Sequence, residues 1–402
     1  MTLKFKITYL EAIRRRYFAG SKKRKTEILN ELCEVTGYSR KHAIRVLSVG
    51  HMTSKKNSGR TRVYSKESII HLKRIWHIMG RICSKKMAAA MPVWLKFYQG
   101  PEFTPLVKEE LLNMSSSTID RYLRDYKKQF SRRKRTGTRR SKHFQNVIPL
   151  KNFDHFATRP GYIQADTVAH CGDSLSGVFI WTMTVTDEFT GWTENRAMYG
   201  KGALAAHDAV CVALYDVPFR AISFNTDNGT EFLNETLHKL ICRDRNIKFT
   251  RSRSYRKNDN AHVEQKNFTH VREIFGYERL DFEELVEEMD KIYRFHFNVL
   301  HNYFIPQQKL ISKTRVGSKY VKVYDAPKTP YQRVMESPDI SRRRKEELRK
   351  DYEKLNPIEL KRELNEKMKE FHRYHEKLKA KKKALMEYYD RYGSDNNAKK
   401  AS

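Results

Sequence analysis

The sequence predicts a multidomain chain with an all-α, helix-turn-helix N-terminal region, an α/β core on a five-stranded mixed sheet, and a helical, basic C-terminal region. Three observations lead there. Basic side chains crowd the first 150 residues, short amphipathic helical patterns punctuated by Gly and Ser fill that stretch, and from Gly161 three strand-like runs precede an alternating helix and strand order.

At 402 residues the chain exceeds one ordinary domain, so about two to four folded units are expected. Lys and Arg number 80 against 47 Asp and Glu, a formal charge of +33. The surplus is uneven: residues 1–150 carry 35 basic and 10 acidic side chains, residues 151–337 carry 25 and 24, and the last 65 carry 20 and 13. Such an excess repels itself unless a polyanion is present, which points to nucleic acid and divides binding from chemistry along the chain. No membrane association is expected, because the longest apolar stretch, Val178 to Val185, falls far short of the roughly 18 to 20 residues of a span. The opening MTLKFKITYLEAIRRRYF mixes charges where a signal peptide is apolar, so a cytoplasmic or nucleoid location is expected. Cys33, Cys83, Cys171, Cys211 and Cys242 are scattered without a CxxC pair, against both a disulfide framework and a zinc knuckle.

In residues 1–60, KTEILNELCEVTGYSRKHAIRVL reads as two short helices around Thr36-Gly37-Tyr38, with Ser39 capping the second. That helix presents Arg40, Lys41, His42 and Arg45 while Ala43, Ile44 and Leu47 pack, a pattern suited to the major groove. Residues 61–130 repeat the arrangement near LLNMSSSTIDRYLRDYKKQF, where Ser116 or Ser117 caps a helix carrying Arg121 and Arg124. Ordinary helical hairpins with a solvated basic face would look the same, and the local charge favours DNA binding. Residues 131–150 open on SRRKRTGTRRSK, a basic linker that either tracks phosphates or serves as a tether.

Residues 151–280 form the predicted core. Strands are expected at 161–168, 177–187, 192–199, 220–226 and 247–250, and helices at 202–215, 231–244 and 260–275. Three strands before an alternating run is the order of a ribonuclease-H-like layered fold, a mixed sheet between helices. Residues 281–337 follow as a core-associated helix and extension. In the basic helical tail, residues 338–402, Leu364, Phe371, Leu378 and Leu385 recur every seven residues, with His375 and Lys382 on the same seam. A dimeric coiled coil, a helix folded back on its own chain, and one that orders on DNA all fit.

Three acids stand out by context. Asp166 in GYIQADTVAH sits among β-formers, where an acid is unfavourable unless at an edge or acting as a ligand. Asp227 follows the strand AISFNT and opens the turn DNGTEF. Glu264 comes one turn after a helix cap at Asp259 or Asn260, and Phe268, Val271 and Phe275 follow it at i+4, i+7 and i+11, which turns its face toward the sheet. Each has a plain alternative, Asp227 as a turn former and Glu264 as a first-turn acid beside the helix dipole. Together they suit phosphodiester chemistry, in which carboxylates fix two hard cations about 3.5–4 Å apart.

The segment from about Gly161 to Arg333 resembles the integrase core of bacterial insertion-sequence transposases, relatives of retroviral integrases that share a DDE triad. The stretches carrying the likeness are QADTVAH, TDEFTGWTE, DNGTEF, TRSRSYRKNDNAHVEQKN, VREIFGYERL and KLISKTRVGSKYVKVYDAPKTPYQR. The resemblance implies that Asp166 and Asp227 bind one Mg²⁺ or Mn²⁺ and that Asp166 and Glu264 complete a second site. It further implies strand cleavage and strand transfer on double-stranded DNA, at element ends and target, in the bacterial nucleoid, with self-association on DNA to at least a dimer. None of Asp187, Asp173 and Asp259 is assigned to the metals, and Asp187 is expected to shape a turn. Asn228, Gln265, Lys266 and Arg272 are expected to meet phosphates beside the site, although a solvated helix face explains Lys266 and Arg272 equally. The paired His and Cys of the retroviral N-terminal zinc unit are missing, and helix-turn-helix patterns stand in that place, so end recognition is assigned to residues 1–130. A non-catalytic transposase-derived regulator and a structure-selective nuclease of the same fold are the competing readings.

Overall fold

The computed structural model describes residues 3–48, 64–130, 157–227, 229, 231–252 and 261–392. The linker at 131–150 and the cap at Asp259 or Asn260 lie outside the described residues. Contacts divide the chain into two units, Met1–Val63 and Tyr64–Ser402.

In the first unit, α1 (Leu3–Ala19), α2 (Lys22–Thr36) and α3 (Arg40–Ser48) enclose a core of Leu10, Ile13, Ile28, Leu29, Leu32, Ala43 and Leu47. The Ser21 side chain caps α2, and Gly37 ends it at φ 70°, a left-handed conformation that glycine adopts without strain. Ile44, expected to pack, is exposed. Val46 packs instead, because i+3 and i+4 from Ala43 share its face and i+1 does not.

The second unit begins with α4 (Lys66–Ile78), α5 (Ser84–Trp94), α6 (Pro105–Leu112) and α7 (Ser116–Lys128). Ser115 caps α7, rather than Ser116 or Ser117: it holds the extended backbone a cap requires, and its hydroxyl accepts from the Thr118 N–H. These helices share an apolar core with helices more than 150 residues away, and the Trp94 indole N–H donates to the Phe304 carbonyl at 3.2 Å.

The sheet comprises β1 (Tyr162–Ala169), β2 (Ile180–Asp187), β3 (Thr193–Tyr199), β4 (Ser223–Thr226) and β5 (Lys248–Arg251), in the order β3-β2-β1-β4-β5. The first three strands form an antiparallel meander, while β4 and β5 add parallel to β1. On one face α8 (Ala203–Asp216) and α9 (Glu235–His238), continued as a π-helix over Lys239–Asp244, pack Ala206, Val210, Ala213 and Leu237 against Phe224 and Phe249. Beyond β5 come α10 (Ala261–Lys266), a π-helical stretch Asn267–Arg272, and α11 (Glu273–Phe275). Next, α12 (Leu285–Lys291) runs through a π-helical stretch Ile292–Phe297 into α13 (Asn298–Phe304).

This last helix closes the sheet edge in an unusual way. A bare edge strand presents unpaired peptide groups. On β3 the N–H groups of Thr193, Asn195 and Ala197 donate to Asn302, Asn298 and Asp290 at 2.9, 3.3 and 3.1 Å. The same two asparagines return N–H groups to the carbonyls of Thr193 and Asn195 at 2.9 and 3.3 Å. Each side-chain amide therefore stands in for a peptide of a neighbouring strand.

A two-stranded hairpin within the extension follows, β6 (Leu310–Val316) and β7 (Lys319–Tyr324), then α14 (Pro330–Glu336), α15 (Arg342–Glu353) and α16 (Pro357–Tyr392). Of the three arrangements open for the heptad pattern, α16 adopts the fold-back. Leu364 and Phe371 are buried, Phe371 lies 5.1 Å from the Phe275 ring, and Lys382 pairs with Asp281 at 3.0 Å, while Leu385 is exposed. Among the described residues no helix is long and apolar enough to cross a membrane, and the five cysteines are free thiols.

The asparagine contacts on β3 give a test. Asn302→Ala strands the buried Thr193 N–H and should lower the unfolding free energy by about 1–3 kcal/mol in a denaturant titration. An unchanged midpoint would mean that water replaces the amide and that the edge is closed some other way.

Candidate active site

Neighbouring strands place the first two acids side by side. β1 and β4 run parallel with Ala165 opposite Thr226, so Asp166 and Asp227 each come one residue beyond that last pair, Asp166 within β1 and Asp227 just past the end of β4. Both are half-buried. Asp166 Oδ1 accepts from the Thr167 N–H at 2.8 Å and Oδ2 from the Asn267 side-chain amide at 2.7 Å. Asp227 Oδ1 accepts from the Gly229 N–H at 2.9 Å, the short reach expected of an Asp-x-Gly turn.

The third acid, Glu264, belongs to α10; its side chain lies outside the described residues. The helix around it is anchored on β1. Val263 is fully buried and donates its N–H to Gln164 at 3.4 Å, and Asn267, three residues after Glu264, bonds Asp166. Val271 and Phe275 are buried as expected, whereas Phe268 is only half-buried. The π-helical turns from Asn267 add residues per turn, so phase counted from Glu264 at a period of 3.6 drifts over that stretch.

A further carboxylate, Glu231, bonds the residue next to Asp166. Glu231 is 1% exposed; its Oε1 accepts from the Thr167 hydroxyl at 2.8 Å, and its Oε2 lies 2.9 Å from the Lys201 ammonium, which sits over the Trp181 ring at 4.8 Å. Gly229 permits the approach, since a Cβ there would run into the Glu231 carboxylate. Its position four residues after Asp227 was the available signal. Two half-exposed carboxylates with oxygen donors alone suit a hard divalent cation such as Mg²⁺, and the anchored helix brings the third acid's backbone to the same strand. Another group of ligand-type residues, Glu278, His375 and Glu376, already holds a cation, because Lys379 pairs with Glu278 at 3.5 Å and with Glu376 at 2.8 Å.

The remaining acids fall where expected or outside the site. Asp187 is fully buried at the β2–β3 turn, where it accepts from the Gly161 N–H, the Thr190 N–H and the Thr190 hydroxyl at 2.8, 2.6 and 2.7 Å. It thus shapes that turn. Burial pushes its carboxyl up to about 6 against the pull of those donors. Asp173 lies exposed in a loop, and Asp259 lies outside the described residues.

Among the expected DNA contacts, Arg40, Lys41 and Arg45 are exposed on α3, with His42 half-buried edge-on to Tyr38 at 4.5 Å. Arg121 and Arg124 are exposed on α7, and Gln265 is exposed on α10. Asn228 lies outside the described residues. Two cations depart from expectation. Lys266 is buried, its ammonium donating to Gln307 Oε1 at 2.6 Å, and burial with Lys86 nearby holds it well below the ordinary lysine range. The Arg272 guanidinium donates to the carbonyls of Ala169 and Gly276 at 2.8 and 3.4 Å and lies over the Tyr277 ring. Both are therefore engaged inside the fold rather than offered to phosphates, because carbonyl and amide acceptors lie within their reach on the packed side of the helix.

No family model matches the chain. A search of curated proteins finds the uncharacterized protein y4rM of Sinorhizobium fredii, 35% identical over 332 residues, spanning 81% of this chain and 93% of that protein. The chain belongs to the y4rM family. Among solved structures, this member of the y4rM family is similar to the catalytic core of BIV integrase, at 16% identity and a TM-score of 0.22 over 26% of this chain and 62% of that one, which is less than two thirds of its length. Similar too are the HTLV-2 integrase catalytic core in complex with magnesium, at 19% identity and a TM-score of 0.22 over 27% of this chain and 67% of that one, and a simian T-cell lymphotropic virus intasome, at 18% and 0.21 over 29% and 44%. Structural neighbours of the y4rM-family chain are thus retroviral integrase cores.

The buried turn acid supplies a pH test. The folded carboxyl of Asp187 is raised above its unfolded value, so its contribution to stability is complete below about pH 4 and is lost as pH rises through about 6. Carboxyl ¹³C NMR should place its titration near pH 6. A midpoint below 4.5 would show that the three donors outweigh burial.

Proposed function

We propose that this chain is a DNA transposase of the integrase type, a polynucleotidyl transferase acting through Asp166, Asp227 and Glu264. The observation that carries the reading is the shared register of Asp166 and Asp227 on parallel strands, with the Glu264 helix tied to the same strand through Asn267. Two divalent ions, Mg²⁺ or Mn²⁺, would be held by Asp166 with Asp227 and by Asp166 with Glu264, and would supply polarisation of the scissile phosphate and activation of the attacking oxygen. Asn267 and the Gly229 N–H orient the two aspartates, while buried Glu231, paired with Lys201, holds Thr167 and with it the end of β1. Water first breaks one phosphodiester at the element end and leaves a 3′-hydroxyl. That hydroxyl then attacks a target phosphodiester, one P–O bond forming as another breaks.

DNA-end binding is assigned to basic side chains of α3 and α7: exposed Arg40, Lys41 and Arg45 with half-buried His42, then exposed Arg121 and Arg124, with Asn228 and Gln265 beside the carboxylates. Each of the two helices follows its predecessor after three residues, the spacing of a helix-turn-helix. Joining requires two ends held together, so the working form on double-stranded DNA is at least a dimer, acting in the cytoplasm at the nucleoid.

Two experiments decide. Asp227→Asn should leave duplex binding nearly unchanged and lower Mg²⁺-dependent cleavage by about a hundredfold or more; equal cleavage by variant and wild type would end the catalytic reading. A chain of residues 140–402 should lose selection of the element ends, and retained selection would move end recognition out of residues 1–130.

A further inference from the structure

The β6–β7 hairpin is exposed on both faces, and Ile311, Val316, Tyr320, Val321, Val323 and Tyr324 are each more than two fifths exposed. A two-stranded ribbon standing alone in water is at best marginally stable, so this one is built to be covered. Its register separates two unlike faces. Lys313 pairs with Lys322 and Arg315 with Tyr320, which puts these four and Tyr324 on one side; Val316, Val321 and Val323 share the other with Ser312, Thr314 and Lys319. Like charges directly opposite each other across a ribbon are destabilising. Lys313 and Lys322 nevertheless sit so, and the sequence supplies no acid between Asp290 and Asp325 to relieve them. The Lys313 ammonium lies over the Tyr320 ring at 4.6 Å, which keeps it on that face.

The root, by contrast, is fixed. Gln307 and Lys328 exchange backbone hydrogen bonds at 2.8 and 3.1 Å, and Asp325 accepts from the Lys309 N–H and pairs with Arg333, both at 2.6 Å. Lys309 also donates to the Phe189 carbonyl at 2.7 Å, and Gln307 accepts from Lys266 of α10. The ribbon therefore projects about 20 Å from a base bonded to the helix that carries Glu264.

We propose that this ribbon is a duplex-DNA clasp, its Lys313, Arg315 and Lys322 face lying against phosphates of the strand presented to the carboxylates, with Tyr320 and Tyr324 packed on the sugars. It rests on the reading that the chain acts on DNA. Charge complementarity selects the occupant: three cations and no acid on one face match a polyanion and repel a basic copy of this chain. Lysines that merely guard an edge against aggregation need no facing cationic pair and no interleaved tyrosine.

The test uses the full chain and a short duplex, with affinity measured across a salt series. Lys313→Ala/Arg315→Ala/Lys322→Ala should weaken binding about tenfold or more and reduce the slope of log K against log salt by about 2 to 3, with no fall in melting temperature, because all three side chains are exposed and the variant relieves the facing lysine pair. Val321→Ser/Val323→Ser should keep both affinity and slope. Unaltered affinity and slope in the triple variant, or loss confined to the valine variant, would overturn the clasp, the second outcome marking the ribbon as a protein-docking element. Asp227→Asn separates the two proposals: if the triple variant loses affinity while Asp227→Asn cleaves like wild type, the clasp stands and the catalytic reading falls.

Discussion

The parallel pairing of β1 with β4 is the constraint on which the site depends. Because Ala165 faces Thr226, the residues one step further on are both aspartates, and a slip of one residue would send one of them to the opposite face of the sheet. Such a register cannot be set by a tight turn, since β1 and β4 are separated by two strands and a helix. It is held by burial on both sides: Ile163, Ala165 and Phe224 lie in the core under α8 with Met183, while Gln164 and Asn225 face the other layer. Two like charges brought close in this way repel each other. The donors on Asp166 and Asp227 offset that in part, and a divalent cation would reverse its sign.

The second layer is held by polar chemistry rather than by apolar packing alone. A helix rises about 6 Å over four residues, close to the roughly 6.7 Å of a two-residue strand repeat, so Asn298 and Asn302 can serve successive outward peptides of β3. Asn298 also donates to Glu194 at 2.9 Å, and Glu194 in turn pairs with buried Arg196 at 3.2 Å. A helix fixed this way cannot slide along the strand, and it presents Phe297 and Tyr293 to the rings of His270 and Phe275 at 5.2 and 5.1 Å. The segment carrying Asn267 is thereby pressed onto β1 from behind.

These arrangements were unequally legible in the sequence. Strand order and the two aspartates could be read because a period of two and an acid among β-formers are local signals. Asn267 could not, since it reads as an ordinary polar helix residue and only the fold brings the Asp166 carboxylate to its amide, while the π-helical turns that start there shift the phase of the residues after it. Glu231 reads as an ordinary acid near a helix start, and only the fold brings Lys201 and Thr167 to it. Lys266 and Arg272 illustrate the same limit from the other side: a cation on a helix looks solvated until the acceptors that satisfy it, Gln307 and the carbonyl of Ala169, arrive from elsewhere in the chain. The β6–β7 hairpin carried its Gly317-Ser318 turn and the Val321-Lys322-Val323 alternation of β7 in plain view, yet β6 places Ser312, Lys313, Thr314 and Arg315 in succession, and a strand with no buried face lacks the apolar run by which it is usually recognised.

Charge distribution follows from the same physics. A sheet that must hold acids close together without a surrounding positive field would repel DNA, and a uniformly basic core would neutralise its own carboxylates by salt bridging. Near-neutrality over residues 151–337, with 25 basic and 24 acidic side chains, avoids both. Among its described cations, Arg196, Lys201, Lys266 and Arg272 are held in specific bonds to carboxylate, amide and carbonyl oxygens, and Lys313, Arg315 and Lys322 are carried outward on the ribbon. Asp166 accepts from the Asn267 amide and Asp227 from the Gly229 peptide N–H, and such neutral donors yield an oxygen ligand to a metal ion at little electrostatic cost.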